Sequence, residues 1–269
     1  MKILLIGASG MLGRDVFQVL KSQDFEIIAP NSKELDIVNF EKLDEFINIK
    51  KPDIIINCAG YTDVEKAQIE FGLARKVNYF GCLNLAKICA KNNIILFHFS
   101  TDYVFDGEKN EPYLTSDTEN PINNYGLVKL QGERAIQKNC EKFYIIRTSW
   151  LFGKNGNNFV EKMLALANSK KEIKVVDDEI SAPTYTLDLA KTLLELFKKP
   201  FGIYHIVNSG FVSRYDFAKE IFKLKKIDVE LVKIKSKDFK TLAKRPKFSA
   251  LKSDIKLRSW QEALEEYLK

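Results

Sequence analysis

Short apolar runs that end in glycine, asparagine or serine alternate along this chain with longer stretches where apolar residues recur every three or four positions. Runs at 3–6, 25–29, 52–58 and 94–100 are nearly continuous rather than alternating, the pattern of strands buried on both faces of a parallel sheet. Between them the helical spacing predicts a helix from Gly13 through Val16, Phe17 and Leu20, a second over 40–49, and a long one over 67–91 carried by Leu73, Val77, Leu83, Leu85 and Ile88. A helix from Tyr125 follows a turn at 120–124. Later come strands at 174–177, 202–207 and 229–234 and helices at 187–197, 215–222 and 259–268. Strand and helix taking turns in this way predict an α/β fold with a doubly wound parallel sheet of Rossmann type.

The first strand ends in Gly7-Ala8-Ser9-Gly10-Met11-Leu12-Gly13. Glycine serves the tight turn at Gly7, admits a pyrophosphate to the backbone at Gly10, and lets helix and strand close at Gly13, while the helix start offers free N–H groups and a positive dipole end. Gly7, Ser9, Gly10, Met11, Leu12 and Gly13 are therefore candidate dinucleotide contacts; the rival reading is a plain turn. After the second strand a site for unphosphorylated ribose usually carries an acid. Here stand Pro30, Asn31, Ser32 and Lys33, so Ser32 and Lys33, with Arg14, suit a 2′-phosphate, and an ordinary polar loop is the alternative. Asp36 and Ile37 continue that loop as further cofactor candidates. In open parallel sheets ligands lie at the carboxyl ends of strands, which brings in Ala59, Gly60 and Tyr61 after the third strand and Ser100 after the fourth. Asn78 interrupts an apolar helix face, either as a hydrogen-bonded core residue or as one more contact.

Ser100-Thr101-Asp102-Tyr103 places hydroxyls at the end of the fourth strand, and Tyr125 and Lys129 stand four apart, on one face of a helix. A phenol with an ordinary pKa of about 10 transfers protons near neutrality more readily beside a cation. Alone, Tyr-x-x-x-Lys is common; after a glycine turn and a hydroxyl-rich strand end it marks a candidate catalytic set of Thr101, Tyr125 and Lys129. His98, inside the fourth strand, reads as a packed core residue.

With 269 residues, 45% of them hydrophobic, the chain can bury a full core. Its net charge of +6, from 42 basic against 36 acidic residues, is interspersed, which argues against a nucleic-acid tail and suits an anionic small substrate. Cys58, Cys82, Cys89 and Cys140 lack metal-ligand spacing, and the two histidines, His98 and His205, are far apart, so no metal is expected. The opening segment is too short for a signal-peptide core, and no run of ~18 apolar residues appears. A cytoplasmic protein with no membrane partner is expected.

Taken together, the glycine turn, Asn57-Cys58-Ala59-Gly60-Tyr61-Thr62-Asp63-Val64-Glu65-Lys66-Ala67, Ser100-Thr101-Asp102-Tyr103-Val104-Phe105-Asp106-Gly107, Tyr125-Gly126 with Lys129 and Gly132-Glu133, Arg147-Thr148-Ser149-Trp150-Leu151-Phe152-Gly153, Asn158-Phe159, Ala182-Pro183-Thr184 and Arg245-Pro246 with Ser249 and Leu251 resemble the extended short-chain dehydrogenase/reductase family over nearly the whole chain. The resemblance implies a Rossmann unit over 1–148 and a mainly substrate-binding, discontinuous region over 149–269, some of whose segments return to the first unit. It implies reduction by NADPH, with NADH as the alternative, of the C4 keto group of a nucleotide-sugar, dTDP-4-dehydro-L-rhamnose first among the 4-keto-6-deoxy sugars. Tyr125 would give the proton, Lys129 would hold the nicotinamide ribose and lower the tyrosine pKa, and Thr101 would orient the substrate. Asp102, Tyr103, Trp150, Asn158, Arg245 and Ser249 are implied as substrate contacts. A homodimer is compatible with the resemblance. Some relatives hold magnesium at a dimer interface; Asp15 matches one such position, but no further acids are evident near Asp188, and none is expected here. The 178–184 segment departs from the family's usual loop, which leaves any contact by Glu179 open. A regulatory subunit similar to that of methionine adenosyltransferase shares the pattern and is the alternative of another class.

Overall fold

The computed structural model describes all 269 residues. Strands β1 (Lys2–Ile6), β2 (Glu26–Ile28), β3 (Ile54–Asn57), β4 (Ile95–Thr101) and β5 (Phe143–Thr148) alternate with helices α1 (Met11–Lys21), α2 (Phe40–Lys50), α3 (Val64–Ile69), α4 (Phe71–Arg75), α5 (Cys82–Asn92) and α6 (Asn124–Asn139). The later chain adds β6 (Leu151–Phe152), α7 (Phe159–Ala167), β7 (Glu172–Val176), β8 (Ile180–Ser181), β9 (Thr184–Tyr185), α8 (Thr186–Leu196), β10 (Gly202–His205), β11 (Val212–Ser213), α9 (Arg214–Lys225), β12 (Glu230–Ile234) and α10 (Trp260–Leu268). The main sheet has six strands in the order β10-β5-β4-β3-β1-β2, every pair parallel. Both its faces are covered, which is why its strands read as unbroken apolar runs. Ile3, Leu5, Ile54, Ile56 and Phe97 meet α1 and α8 through Val16, Leu20, Leu189 and Leu193 on one side. On the other, Leu4, Ile6, Ile55 and Leu96 meet Leu43 and Ile47 of α2 and Leu85 and Ile88 of α5.

From β6 onward the chain builds a second, separate core around Phe152, Met163, Ile173, Phe217, Trp260 and Tyr267. Two short strand pairs flank it, β7 with β12 in parallel and β8 with β11 antiparallel. Between them the chain returns to the main sheet, where α8 packs on α1 and β10 pairs with β5.

The helix expected over 67–91 is a correction. It is broken at Glu70, whose φ of −94° and ψ of 41° are not helical, and it resumes as α4, a π-helical turn over Lys76–Gly81, and α5. An i→i+5 turn accommodates one extra residue, a device frequent at functional sites. Here Asn78 lies within it: its Oδ1 accepts from Tyr61 N at 2.9 Å and its Nδ2 donates to Tyr61 O at 2.9 Å, pinning the loop after β3. The helix α7 was not expected at all. Asn158 starts it, its Oδ1 accepting from the N–H groups of Val160 (3.0 Å) and Glu161 (3.2 Å).

Candidate active site

The glycine turn sits where β1 meets α1. Gly7 has φ +77°, and a Cβ there would fall 2.6 Å from Ala59 N; one on Gly13 would fall 2.1 Å from Gly7 O. These two contacts need glycine. Gly10 differs: its nearest neighbour would be Gly7 O at 3.4 Å, so the space in front of it is open. No side chain caps α1 and its first turn holds no acid, leaving backbone N–H groups and the positive dipole end available to an anion. Arg14 donates through Nε to Ser9 O at 2.9 Å. Ser32, Lys33 and Asp36 are exposed on the loop after β2, Asp36 accepting from Val38 N at 2.9 Å. The Ile37 side chain is buried and packs where a Gly81 Cβ would stand, so only its backbone is left for a ligand. These residues fit a dinucleotide with a phosphorylated ribose: open space at one glycine, an uncapped helix start, and the basic groups of Lys33 and of the Arg14 Nη atoms.

The hydroxyl cluster comes from β4 and α6. Close approach brings them together: a Cβ on Gly126 would lie 2.1 Å from Tyr103 O, and one on Gly132 would lie 2.2 Å from Asn78 O. Asn123 caps α6, accepting from Gly126 N at 2.8 Å, and so fixes Tyr125 in the first turn of the helix. The Tyr125 ring meets Tyr103 edge-on, with centroids 5.9 Å apart. Burial holds the Tyr125 phenol above its ordinary pKa, and a hydrogen bond with Thr101 offsets part of that rise. A phenol that keeps its proton near neutrality suits a proton donor. Lys129 is buried, and burial lowers its pKa. Its Nζ donates to Phe99 O at 2.6 Å and faces His98 Nε2 at 3.3 Å.

Below this cluster Ser100 donates to Glu133, which also receives Arg147 Nε (3.1 Å) and Nη2 (2.7 Å); Arg147 reaches Glu119 as well. The Ser100 hydroxyl is thereby committed to the strand end, not to the open crevice. Asp102 is buried and accepts from Thr101 Oγ1 (3.1 Å), Ser181 Oγ (3.1 Å) and Ser249 Oγ. Asp102 and Ser249 thus tie the end of β4 to the later chain. Burial pushes the Asp102 carboxyl up to about 6 against the pull of those hydrogen bonds. Burial likewise pushes the Tyr103 phenol up to about 12.

A cavity of about 1080 Å³ opens beside them, lined in part by Trp150, Asn158, Phe159, Glu179, Arg214 and Arg245. Trp150, in the left-handed region at φ 42°, lies under the Arg214 guanidinium, 3.5 Å from its carbon to the ring centroid. Arg245 pairs with Glu65 at 2.7 Å. The Asn158 side chain is largely used on α7 and on Gly153 O at 3.0 Å. Thr101, Tyr125 and Lys129 do not line this cavity; Tyr103 meets Tyr125 edge-on and lies close enough to Arg214 and Arg245 to feel their charges. Sequence reasoning passed over Arg214, and a signal existed. It follows the N-cap Ser213 into the first turn of α9, where the helix dipole disfavours a cation, so some other charge is the better reason for it.

A glycine-cradled helix start, with a hydroxyl at the end of β4 and a phenol and a lysine on the helix packed against that strand, is the layout of the short-chain dehydrogenase/reductases. Within that class the chain belongs to the family described as RmlD substrate binding domain, which matches residues 1–269. A dTDP-4-dehydrorhamnose reductase of Aggregatibacter actinomycetemcomitans is 39% identical over 98% of this chain and 97% of that protein. A dTDP-4-dehydrorhamnose reductase structure from Clostridium acetobutylicum superposes with a TM-score of 0.96 at 42% identity, covering 100% of this chain and 98% of that one. Another from Bacillus anthracis, in complex with NADP, gives a TM-score of 0.96 at 36% identity, covering 99% and 98%.

Proposed function

We propose that the chain reduces the C4 keto group of dTDP-4-dehydro-L-rhamnose with NADPH, giving dTDP-L-rhamnose. The observation that carries the reading is that the Gly10 crevice after β1 and Thr101 at the end of β4, with Tyr125 beside it on α6, lie at carboxyl ends of strands in one parallel sheet, in a chain whose full-length relatives include dTDP-4-dehydrorhamnose reductases. When bound, NADPH supplies a hydride to C4. The residues of the chain do the rest. The first turn of α1 takes the pyrophosphate, and Arg14, Ser32 and Lys33 favour the 2′-phosphate. Thr101 aligns the carbonyl, and Tyr125, kept protonated by its burial, gives its proton to the C4 oxygen as negative charge develops there. Lys129 holds the nicotinamide ribose. Trp150 stacks against a ring of the nucleotide-sugar, and Arg245 and Arg214 offer planar donor forks to its phosphates.

The division at 148–149 belongs to the same proposal: a nucleotide unit before it, mainly substrate contacts after it, with α8 and β10 returning to the main sheet. A homodimer and a cytoplasmic location are further parts of it. No helix is long and apolar enough to cross a membrane. Tyr125→Phe tests the chemistry. It should cut turnover by about 10²- to 10⁴-fold, the usual worth of general acid catalysis, with NADPH affinity nearly unchanged because the ring still packs on Tyr103. Unchanged turnover would remove Tyr125 from the mechanism.

A further inference from the structure

Beneath Lys129 lies a polar chain that the proposed reaction does not use. Asn57 ends β3, His98 lies next to it on β4, and Lys129 reaches down from α6; Asn57 and His98 are each 1% exposed and Lys129 is 5% exposed. Hydrogen positions along the chain follow from its fixed end. Ala59 N lies 3.0 Å from Asn57 Oδ1, and a backbone N–H only donates, so that amide atom is the oxygen and cannot be exchanged with the nitrogen. The amide nitrogen then faces His98 Nδ1 at 3.2 Å and donates to it. A neutral imidazole that accepts at Nδ1 carries its proton on Nε2. Burial and the neighbouring lysine keep His98 neutral. Its Nε2–H points at Lys129 Nζ, 3.3 Å away, while Nζ also donates to Phe99 O. An ammonium there would set one N–H against another; an amine has a lone pair to receive the imidazole proton.

We infer that His98 is a positioning residue for Lys129: locked by Asn57 in the Nε2–H form, it donates to the Lys129 lone pair and favours the amine over the ammonium. The inference rests on the reading of Lys129 as a cofactor contact only for its functional consequence. The other groups facing this pair are few. Cys82 of α5 lies with its sulfur 3.7 Å from His98 Nε2 and 3.8 Å from Nδ1; its proximity raises the lysine pKa, but burial keeps it a thiol. Glu133, one turn further along α6, raises the lysine pKa, but its carboxylate is held by Ser100 and Arg147. Tyr125, one turn back, retains its proton. None of these reverses the donor facing Nζ. A dinucleotide, being anionic, favours the ammonium, so binding should take up one proton when Lys129 begins as an amine.

The chain has two histidines, which makes the test direct. His205 Nδ1 lies 3.0 Å from Tyr113 O and must donate to it, so His205 carries the opposite tautomer. In a long-range ¹H–¹⁵N spectrum of the ¹⁵N-histidine-labelled full chain, one ring should show its proton on Nε2 and the other on Nδ1, with His205→Phe identifying which is which. A proton on Nδ1 of His98 overturns the inference. The second readout is the dissociation constant of NADPH, followed by its fluorescence between pH 6 and 10. Affinity should fall about tenfold per pH unit above the Lys129 pKa, and His98→Phe should move that limb up by about one unit. A limb that stays in place contradicts the inference. Failure to bind NADPH at any pH would sink the cofactor reading instead, and the tautomer spectrum would still decide the one made here.

Discussion

Removing the Glu133 carboxylate should destabilise the protein more than any surface change, and the reason lies in what it leaves behind. Glu133 and Arg147 are both 0% exposed. The carboxylate takes three contacts from the guanidinium, at 3.1, 3.1 and 2.7 Å, and one from Ser100. In Glu133→Ala, Arg147 keeps only the partly exposed Glu119 and the face of the Phe105 ring, 5.2 Å from its guanidinium carbon, and its Nη1 already has no partner. Breaking one side of a buried pair costs about 3–5 kcal/mol, because a charge is stranded away from water. At roughly 2–4 °C per kcal/mol for a chain of this size class, the melting temperature should fall by about 6–20 °C. Differential scanning calorimetry measures it. The double variant Glu133→Leu with Arg147→Met should regain most of the loss, since apolar residues of similar volume leave no charge behind. A fall below about 2 °C in the single variant, or a double variant no better than the single, would refute the argument that the pair is costly to break rather than strongly stabilising in itself.

Two further outcomes follow from geometry and from charge. Gly10→Ala should fold normally, because its Cβ meets nothing closer than 3.4 Å, yet weaken NADPH about ten- to hundredfold by occupying the pyrophosphate space; Gly13→Ala, 2.1 Å from Gly7 O, should lower the melting temperature as well. Isothermal titration and thermal melts separate the two, and equal melting temperatures for both variants would contradict the assignment. Asp102 has a folded pKa raised from 3.8 to about 6, so between those values the folded state binds more protons than the unfolded one and stability falls as pH rises. Asp102→Asn lacks this term. Its stability relative to the parent should improve by about 2 kcal/mol from pH 4 to pH 6 and level off only above about pH 7, and a difference that stays flat across urea titrations between pH 4 and pH 7 would show that folding does not raise the carboxyl pKa.

Much of this was legible in the chain itself. Continuous apolar runs at β1, β3 and β4 require burial on both faces, and the glycine turn has few other uses between a strand and a helix. Thr101 and the loop from Ala59 to Tyr61 lie at the carboxyl ends of the neighbouring strands β4 and β3, the side on which open parallel sheets take ligands, and Tyr125 stands beside Thr101 on α6. What stayed hidden depended on contacts between distant parts. Nothing in the Asn78 neighbourhood shows that the helix must take an extra residue to let that side chain reach Tyr61, 17 positions away. Asp102 and Ser249, implied as substrate contacts by the resemblance, also bond each other across 147 residues, a pairing that no local pattern shows. The tautomer of His98 is set by Asn57, 41 residues earlier, and pairing of that kind leaves no local periodicity.

The central claim concerns the substrate, and the most direct measurement offers the purified chain a panel of dTDP-, UDP- and GDP-linked 4-keto sugars while NADPH absorbance is followed. The account predicts oxidation of NADPH with the dTDP-linked 4-keto-6-deoxy sugar and formation of dTDP-L-rhamnose from dTDP-4-dehydro-L-rhamnose. NADPH that binds yet is consumed by none of the panel would contradict it.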